Sequence, residues 1–272
     1  MRHLVCLTFD FDAMSGFVSR GLTTPTMISR GEFGVVGARR LLSLLDAHGI
    51  AATWFIPGVV IRTYPEVCAE IVAAGHEIGH HGWTHVPPAQ LSRAEEAEGL
   101  DRGNEAIAEI AGKPARGYRS PSWDLSPHTV ELLLERGFVY DSSMMGHDYQ
   151  PYRARQGDVV HAQEPMEFGA ETPLVEMPIS WSLDDHPHFE FLRTSEVVMP
   201  GLANTTAVLE NWVDDYRYMQ KESDWGVITY TCHPYVIGRG HRMMMLERLI
   251  ETLRDSATFV TMEQAVAEWV ER

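Results

Sequence analysis

HLVCLTFDFD, residues 3 to 12, carries an apolar run straight into two aspartates, Asp10 and Asp12. A run of this kind reads as a buried strand. Residues two apart in extended chain share a face, so the two carboxylates converge if the strand geometry persists beyond Phe9. An isolated D-x-D is most often a strand entering a polar turn. The residues at the ends of the other strands decide between that reading and a chemical one.

Outward from this stretch, strand-like and helix-like segments alternate. Residues 34 to 49 read as a helix with Leu41, Leu42, Leu44 and Leu45 on its apolar face and Gly49 at its end. A strand over 50 to 56, a helix over 64 to 75, a strand over 76 to 79 and a helix over 92 to 112 capped by Ser92 come after it. Next come a strand at 115 to 118 and a helix over 126 to 137, with Ser126 as cap, Pro127 in the first turn and Gly137 at the end. Further strands are expected at 138 to 141, 174 to 179, 225 to 232 and 257 to 261, and helices near 196 to 221, 242 to 255 and 262 to 271. About eight strands, each followed by a helix, predict one α/β domain over residues 1 to 272, a parallel barrel or a related wound sheet. Two insertions, 13 to 33 and 142 to 173, interrupt the pattern. The second lacks periodicity, and loops of that size are functional or carry small strands of their own.

The chain has 272 residues, 44% of them apolar, and a net charge of -16, which argues against nucleic acid or an anionic membrane as partner. Cys6, Cys68 and Cys232 form no C-x-x-C pair and predict buried thiols, not a disulfide scaffold. No stretch approaches the roughly 18 apolar residues of a membrane span. The first strand starts too close to Met1 to leave room for an export signal, so the expected address is the cytoplasm.

In barrels the chemistry collects at the C-terminal ends of the strands. Here those ends carry Asp10 and Asp12, GHHGWTH (79 to 85), RSPSW (119 to 123), DSS (141 to 143), SWSLDDHPHF (180 to 189) and CHPY (232 to 235). The H-x-x-x-H spacing of His81 and His85 lets two imidazoles reach one cation, and a carboxylate from another strand completes a three-ligand site. Gly82 and the Pro87 and Pro88 pair place that motif on a loop, and the alternation of side chains points His80 away from it.

The ordered set TFDFD, HGWTH, RSPSW, YDSS and TCHP resembles the five motifs of the polysaccharide deacetylase family, carbohydrate esterase family 4, across nearly the whole chain. The resemblance implies a distorted (β/α) barrel in which Asp12, His81 and His85 bind a divalent metal, usually zinc. It implies Asp10 as general base, Arg119 orienting it, His233 as the acid for the leaving nitrogen and Asp141 as the partner of His233. Phe11 between the aspartates, Gly82, MISRGEFG (27 to 34) and WSLDDHPHF (181 to 189) are similar to a side branch with peptidoglycan deacetylase-like members and relatives acting on small cyclic imides or ureides. That branch implies a homo-oligomer with insertions over the site. Trp123, Trp181, Asp185 and Glu32 are candidate substrate contacts, Glu32 by its place in the first insertion. Three functions compete: de-N-acetylation of an amino sugar, opening of a small cyclic amide, and a non-catalytic binding barrel.

Overall fold

The computed structural model describes residues 1–194 and 198–272. The chain opens with β1 (Arg2–Asp10), the short α1 (Ser15–Val18) and the long α2 (Pro25–His48), followed by β2 (Thr53–Ile56), α3 (Gly58–Thr63), α4 (Pro65–Ala73) and β3 (Glu77–His80). Next are α5 (Arg93–Ala111), β4 (Gly117–Tyr118), α6 (Thr129–Glu135), β5 (Tyr140–Asp141), β6 (Tyr152–Gln156) and β7 (Ala170–Glu176). The last part holds α7 (Asp185–Phe189), β8 (Leu192–Arg193), β9 (Val198–Met199), α8 (Thr205–Glu222), β10 (Trp225–Cys232), α9 (Pro234–Ile237), α10 (Gly240–Leu253), β11 (Thr258–Phe259) and α11 (Met262–Val270).

The main sheet runs β10-β1-β2-β3-β4-β5-β7-β6, with β11 taking the lower part of one β1 edge. Every pairing is parallel except β6 with β7. This is the expected distorted barrel. Between β7 and β10 the ladder is interrupted, and Tyr149 O accepts from Val227 N while Asp184 bridges Thr231. β1 and its neighbour β10 are buried along their length, which is why their sequences read as apolar runs.

Along one face of β1 the side chains Leu4, Cys6, Thr8 and Asp10 change from apolar to charged. The lower pair joins Phe55, Tyr140, Val227 and the α11 residues Met262, Ala265 and Val266 in an apolar plug. The upper pair belongs to the site. One strand thus supplies both the floor and the first carboxylate. Cys6, Cys68 and Cys232 are free and buried, as expected, and among the described residues no helix is long and apolar enough to cross a membrane.

Helix termini follow their caps. Ser92 and Glu95 form a capping box on α5, Thr261 and Gln264 another on α11, and Gly49 and Gly112 close α2 and α5 in the left-handed region at φ 65° and 72°. Three expectations change. The helix over 126 to 137 starts only at Thr129, because Ser126 and Thr129 both donate their hydroxyls to the buried carboxylate of Glu96, each at 2.5 Å. The helix expected from 196 is α8, starting at Thr205 behind an Asn204 cap, and positions 196 and 197 lie outside the described residues. The insertion 13 to 33 is half helix, since α2 begins at Pro25.

Glycines hid that helix. Gly31, Gly34 and Gly37 form the buried face of its first half, so no apolar periodicity marks it. The same face lets two backbones approach. A Cβ on Gly37 would stand 1.9 Å from Pro234 O, in the turn after His233. Gly37→Ala therefore has to push α9 and His233 away, and overpacking of this kind costs about 1–3 kcal/mol. Urea denaturation should show that loss, and Gly34→Ala, whose nearest neighbour is the Phe11 ring at 3.3 Å, should be milder.

Candidate active site

Asp12 lies just past the end of β1, where Phe11 N still donates to Phe55 O. Its Oδ2 is 3.2 Å from His85 Nε2 and its Oδ1 is 3.3 Å from His81 Nε2. Asp10 Oδ2 is 3.9 Å from the same His81 nitrogen, so the two carboxylates do converge. All four side chains are buried. His81 follows β3 and hands Nδ1 to Arg119 O at 2.7 Å, which leaves Nε2 facing the aspartates. His85 reaches the cluster from a left-handed backbone at φ 58°. Burial alone would raise the Asp12 carboxyl, but the His85 and His81 imidazoles hold it well below the usual carboxylate range. Burial opposes a proton on His81, yet Asp10 and Asp12 raise its affinity for one.

Asp12, His81 and His85 offer one ligand atom each within 4.8 Å of one another. Asp12 Oδ1 is sealed from solvent and faces only His81 Nε2, which carries no proton in the neutral tautomer that donates Nδ1–H to Arg119 O, although buried carboxylate oxygens are nearly always bonded. Two imidazole nitrogens and a carboxylate suit a divalent ion such as zinc. These residues therefore fit a metal.

Arg119, fully buried after β4, clamps the other aspartate. Its Nη1 donates to Asp10 Oδ1 at 2.7 Å and to Thr8 Oγ1 at 2.9 Å, and its Nε and Nη2 donate to Ser142 O and Oγ. Its guanidinium lies 4.3 Å from the centroid of the Phe55 ring. Ser142 carries no signal of this role in the sequence.

His233 follows β10, with Nε2 3.7 Å from Asp12 Oδ2. Its partner is Asp185, not Asp141: Asp185 Oδ1 is 2.8 Å from His233 Nδ1, and the backbone N of His233 donates to both Asp185 oxygens. Burial works against a proton on His233, but Asp184, Asp185 and Asp12 raise its affinity well above that of an ordinary imidazole. Asp184 is itself pushed up to about 7 by burial and by Asp185. Asp184, Asp185 and His233 are the second cluster with metal-ligand spacing among the described residues, yet Asp185 already accepts three contacts from His233. That makes it an ion pair.

The correction for Asp185 is that it is fully buried behind His233 and is no substrate contact. Glu32 is exposed on α2 and does not line the site. Trp123 and Trp181 do line it, stacked at 4.0 Å with an interplanar angle of 24°. His80 points away as expected, bonding Leu100 O at 3.1 Å, and burial pushes it down to about 3. Sequence reasoning missed Arg20, Ser122 and the site-facing position of His186. Arg20 comes from the first insertion and Trp181, Asp184 and His186 from the segment after β7, and together they border a cavity of about 80 Å³, whereas no residue of the second insertion, 142 to 173, lines it. Of the five non-glycine residues with positive φ among those described, Ala13, His85, Ser122 and Trp123 border this cavity or its ligands. Strain of this kind gathers at functional sites.

Residues 2–140 match the sequence profile described as Polysaccharide deacetylase. A Helicobacter pylori protein described as peptidoglycan deacetylase is 36% identical over 99% of this chain and 97% of its own. The chain belongs to the polysaccharide deacetylase family. As a member it is a hydrolase of carbon-nitrogen bonds other than peptide bonds. A Mycobacterium smegmatis structure solved as a candidate polysaccharide deacetylase superposes with a TM-score of 0.87 at 32% identity, covering 99% of this chain and 90% of that one. The structure of an allantoinase, Puue, shares the fold with a TM-score of 0.79 at 20% identity, covering 98% and 90% of the two chains.

Asp141 has a different role in this family member. It pairs across the parallel β5–β7 register with Glu176, and both are fully buried. Asp141 Oδ1 accepts from Ser143 Oγ, and Glu176 Oε1 accepts from Ser143 N and Met144 N. Asp141 Oδ2 and Glu176 Oε2 have no N–H or O–H donor to accept from. The carboxyls can bond only each other, and only while one keeps its proton. Burial raises both, Asp141 to about 6 and Glu176 further, helped by the Asp141 charge.

In the unfolded chain both carboxyls release their protons near pH 4, so the folded state binds more protons above that value. The pair's stabilisation is full below about pH 4 and is lost as pH rises through the folded value of about 6 and above. Glu176→Gln supplies an N–H donor that does not titrate. Between pH 5 and 8, wild-type protein should lose about 2 kcal/mol more stability than this variant in urea denaturation.

Proposed function

We propose that the chain removes acetyl groups from an N-acetylated amino sugar, using a divalent cation, zinc, held by Asp12, His81 and His85. The observation that carries this reading is the division between two carboxylates at one strand end. Asp12 faces two imidazoles with an unbonded oxygen, while Asp10 is turned toward a guanidinium. The amino-sugar substrate rests on the full-length resemblance to a peptidoglycan deacetylase.

The cation, when bound, supplies Lewis-acid polarisation of the amide carbonyl and acidifies water. Asp10, oriented by Arg119 at 2.7 Å, takes the proton of the attacking water as its oxygen bonds the carbonyl carbon. His233, kept protonated by Asp184 and Asp185, gives its proton to the amide nitrogen as the C–N bond breaks. Acetate and a free amine result. Trp123 and Trp181 present an aromatic wall on which a sugar face or a flat ring can rest.

A second reading, opening of a small cyclic imide or ureide, is favoured by one observation: the first insertion and the segment after β7 narrow the cavity to about 80 Å³. An acetamido arm also fits so narrow a space, with its sugar outside. Zinc-loaded protein should release acetate from N-acetylglucosamine oligomers or peptidoglycan fragments and leave hydantoins and allantoin intact. Ring opening without acetate release would replace the first reading by the second.

The division of labour is tested by two variants. Asp12→Ala should lose bound metal and turnover together. Asp10→Asn should retain metal by elemental analysis while turnover falls roughly 10²–10⁴-fold, the usual contribution of a general base. Near-normal turnover in Asp10→Asn would remove Asp10 from the mechanism.

A further inference from the structure

Tyr235, whose ring lies 6.1 Å from that of His233, lines a second cavity of about 520 Å³ that includes Arg30, Phe189, Glu190, Arg239 and Arg242. Three guanidinium charges there face one carboxylate, an excess of two positive charges in a chain whose net charge is -16. Arg30 is committed, donating to Glu190 Oε1 at 2.5 Å and to Phe191 O at 2.6 Å. Arg242, only 7% exposed, donates to Val236 O and Phe189 O, but its Nε is sealed without an acceptor. Arg239 is exposed, makes no ion pair among the described residues, and lies flat on Phe33 with its guanidinium carbon 3.5 Å from the ring centroid.

The backbone adds to this. Arg239 caps the 14-residue α10, whose first residues, Gly240 and His241, also line the cavity. Arg242 N and Met243 N already bond Arg239 O, so the free donors of the helix end are those of Gly240 and His241. A helix N-terminus carries positive potential and binds anions through such groups. Burial, with Arg30 beside it, pushes the Arg239 guanidinium below its ordinary value against the pull of Glu190, and burial does the same to Arg242 against the pull of Asp185 and Glu190. Glu190 is the one carboxylate that lines the cavity beside them, while Asp185, already bonded to His233, acts on Arg242 from behind.

We propose that this cavity binds a small, doubly charged oxyanion, a phosphate or a dicarboxylate, at a site separate from the metal ligands. Two negative charges match the excess along the lining, and the planar guanidinium of Arg239 with the free N–H groups of Gly240 and His241 offers donors that such oxygens would satisfy. Phe189, Phe191 and Leu202 give it an apolar margin that would admit a small organic carrier of the anion.

The test is calorimetric titration of the full chain with inorganic phosphate and with succinate, each against sodium chloride at matched ionic strength. One-site, saturable binding of either anion is expected, and which one binds identifies the carrier. Arg242 anchors two carbonyls and its removal endangers the fold, so the variant is the exposed Arg239→Glu, with folding checked by circular dichroism. It should bind at least tenfold more weakly. Equal affinity in Arg239→Glu, or no saturable heat with either anion, overturns the site. So does sedimentation showing that wild type binds no anion while Arg239→Glu alters the subunit number, since the cluster would then belong to a second copy's carboxylate. Binding is read without turnover, so the result stands apart from the hydrolytic assignment.

Discussion

A guanidinium with no contact with solvent sits among the strand ends, and the rest of the site is built on it. Removing such a charge from water costs several kcal/mol, which only an opposite charge and a full set of acceptors can offset. Arg119 has both: Asp10 as counter-ion, and Thr8 and Ser142 as further acceptors. These acceptors lie on β1 and on the loop after β5, so satisfying one side chain ties three strand ends together. Its carbonyl also takes the Nδ1 proton of His81, fixing the tautomer of a candidate ligand. Asp10 and His81 are thus oriented by two ends of the same residue. A lysine could carry the charge but could not reach Asp10, Thr8 and Ser142 from one rigid plane.

The mouth of the barrel buries six carboxyl groups, Asp10, Asp12, Asp141, Glu176, Asp184 and Asp185. Each is matched to a different partner. Asp10 has a guanidinium, Asp12 two imidazoles, Asp184 and Asp185 share His233, and Asp141 and Glu176 share a proton. The last pair is remote from the reacting groups but not irrelevant to them. It pins Ser143 and Met144, and Ser142 is the residue that holds Arg119.

The strand ends were legible because each carries its chemistry within a few residues of an apolar run: Asp10 and Asp12 after β1, His81 and His85 after β3, Arg119 after β4, His233 after β10. Their order along the chain also revealed the family. The hidden parts depend on contacts between distant segments. Asp185 reaches His233 across 48 residues because Asp184 bridges Thr231 at the gap in the sheet, and no local pattern announces a gap. Asp141 is expected as the partner through the family resemblance alone, since ending a strand is a property it shares with residues of every role. The first half of α2 escaped notice because its buried face is glycine, which packs by absence and leaves no hydrophobic signal.

Substrate choice turns on the parts that periodicity could not read. Arg20 from the first insertion and Trp181 and His186 from the segment after β7 meet across the cavity, while Ala13, His85, Ser122 and Trp123 hold backbone conformations that cost of order 1–3 kcal/mol each. Such conformations persist only where surrounding contacts over-determine them. Ser120 does this for the Trp123 turn, donating to Asp124 O while Trp123 N returns to Ser120 O, and Ser15 does it for Ala13 by bonding Asp12 O. A rim held this way selects by shape. The charged groups are thus placed by the strand ends, and the shape of the cavity above them by how the first insertion and the segment after β7 are fastened.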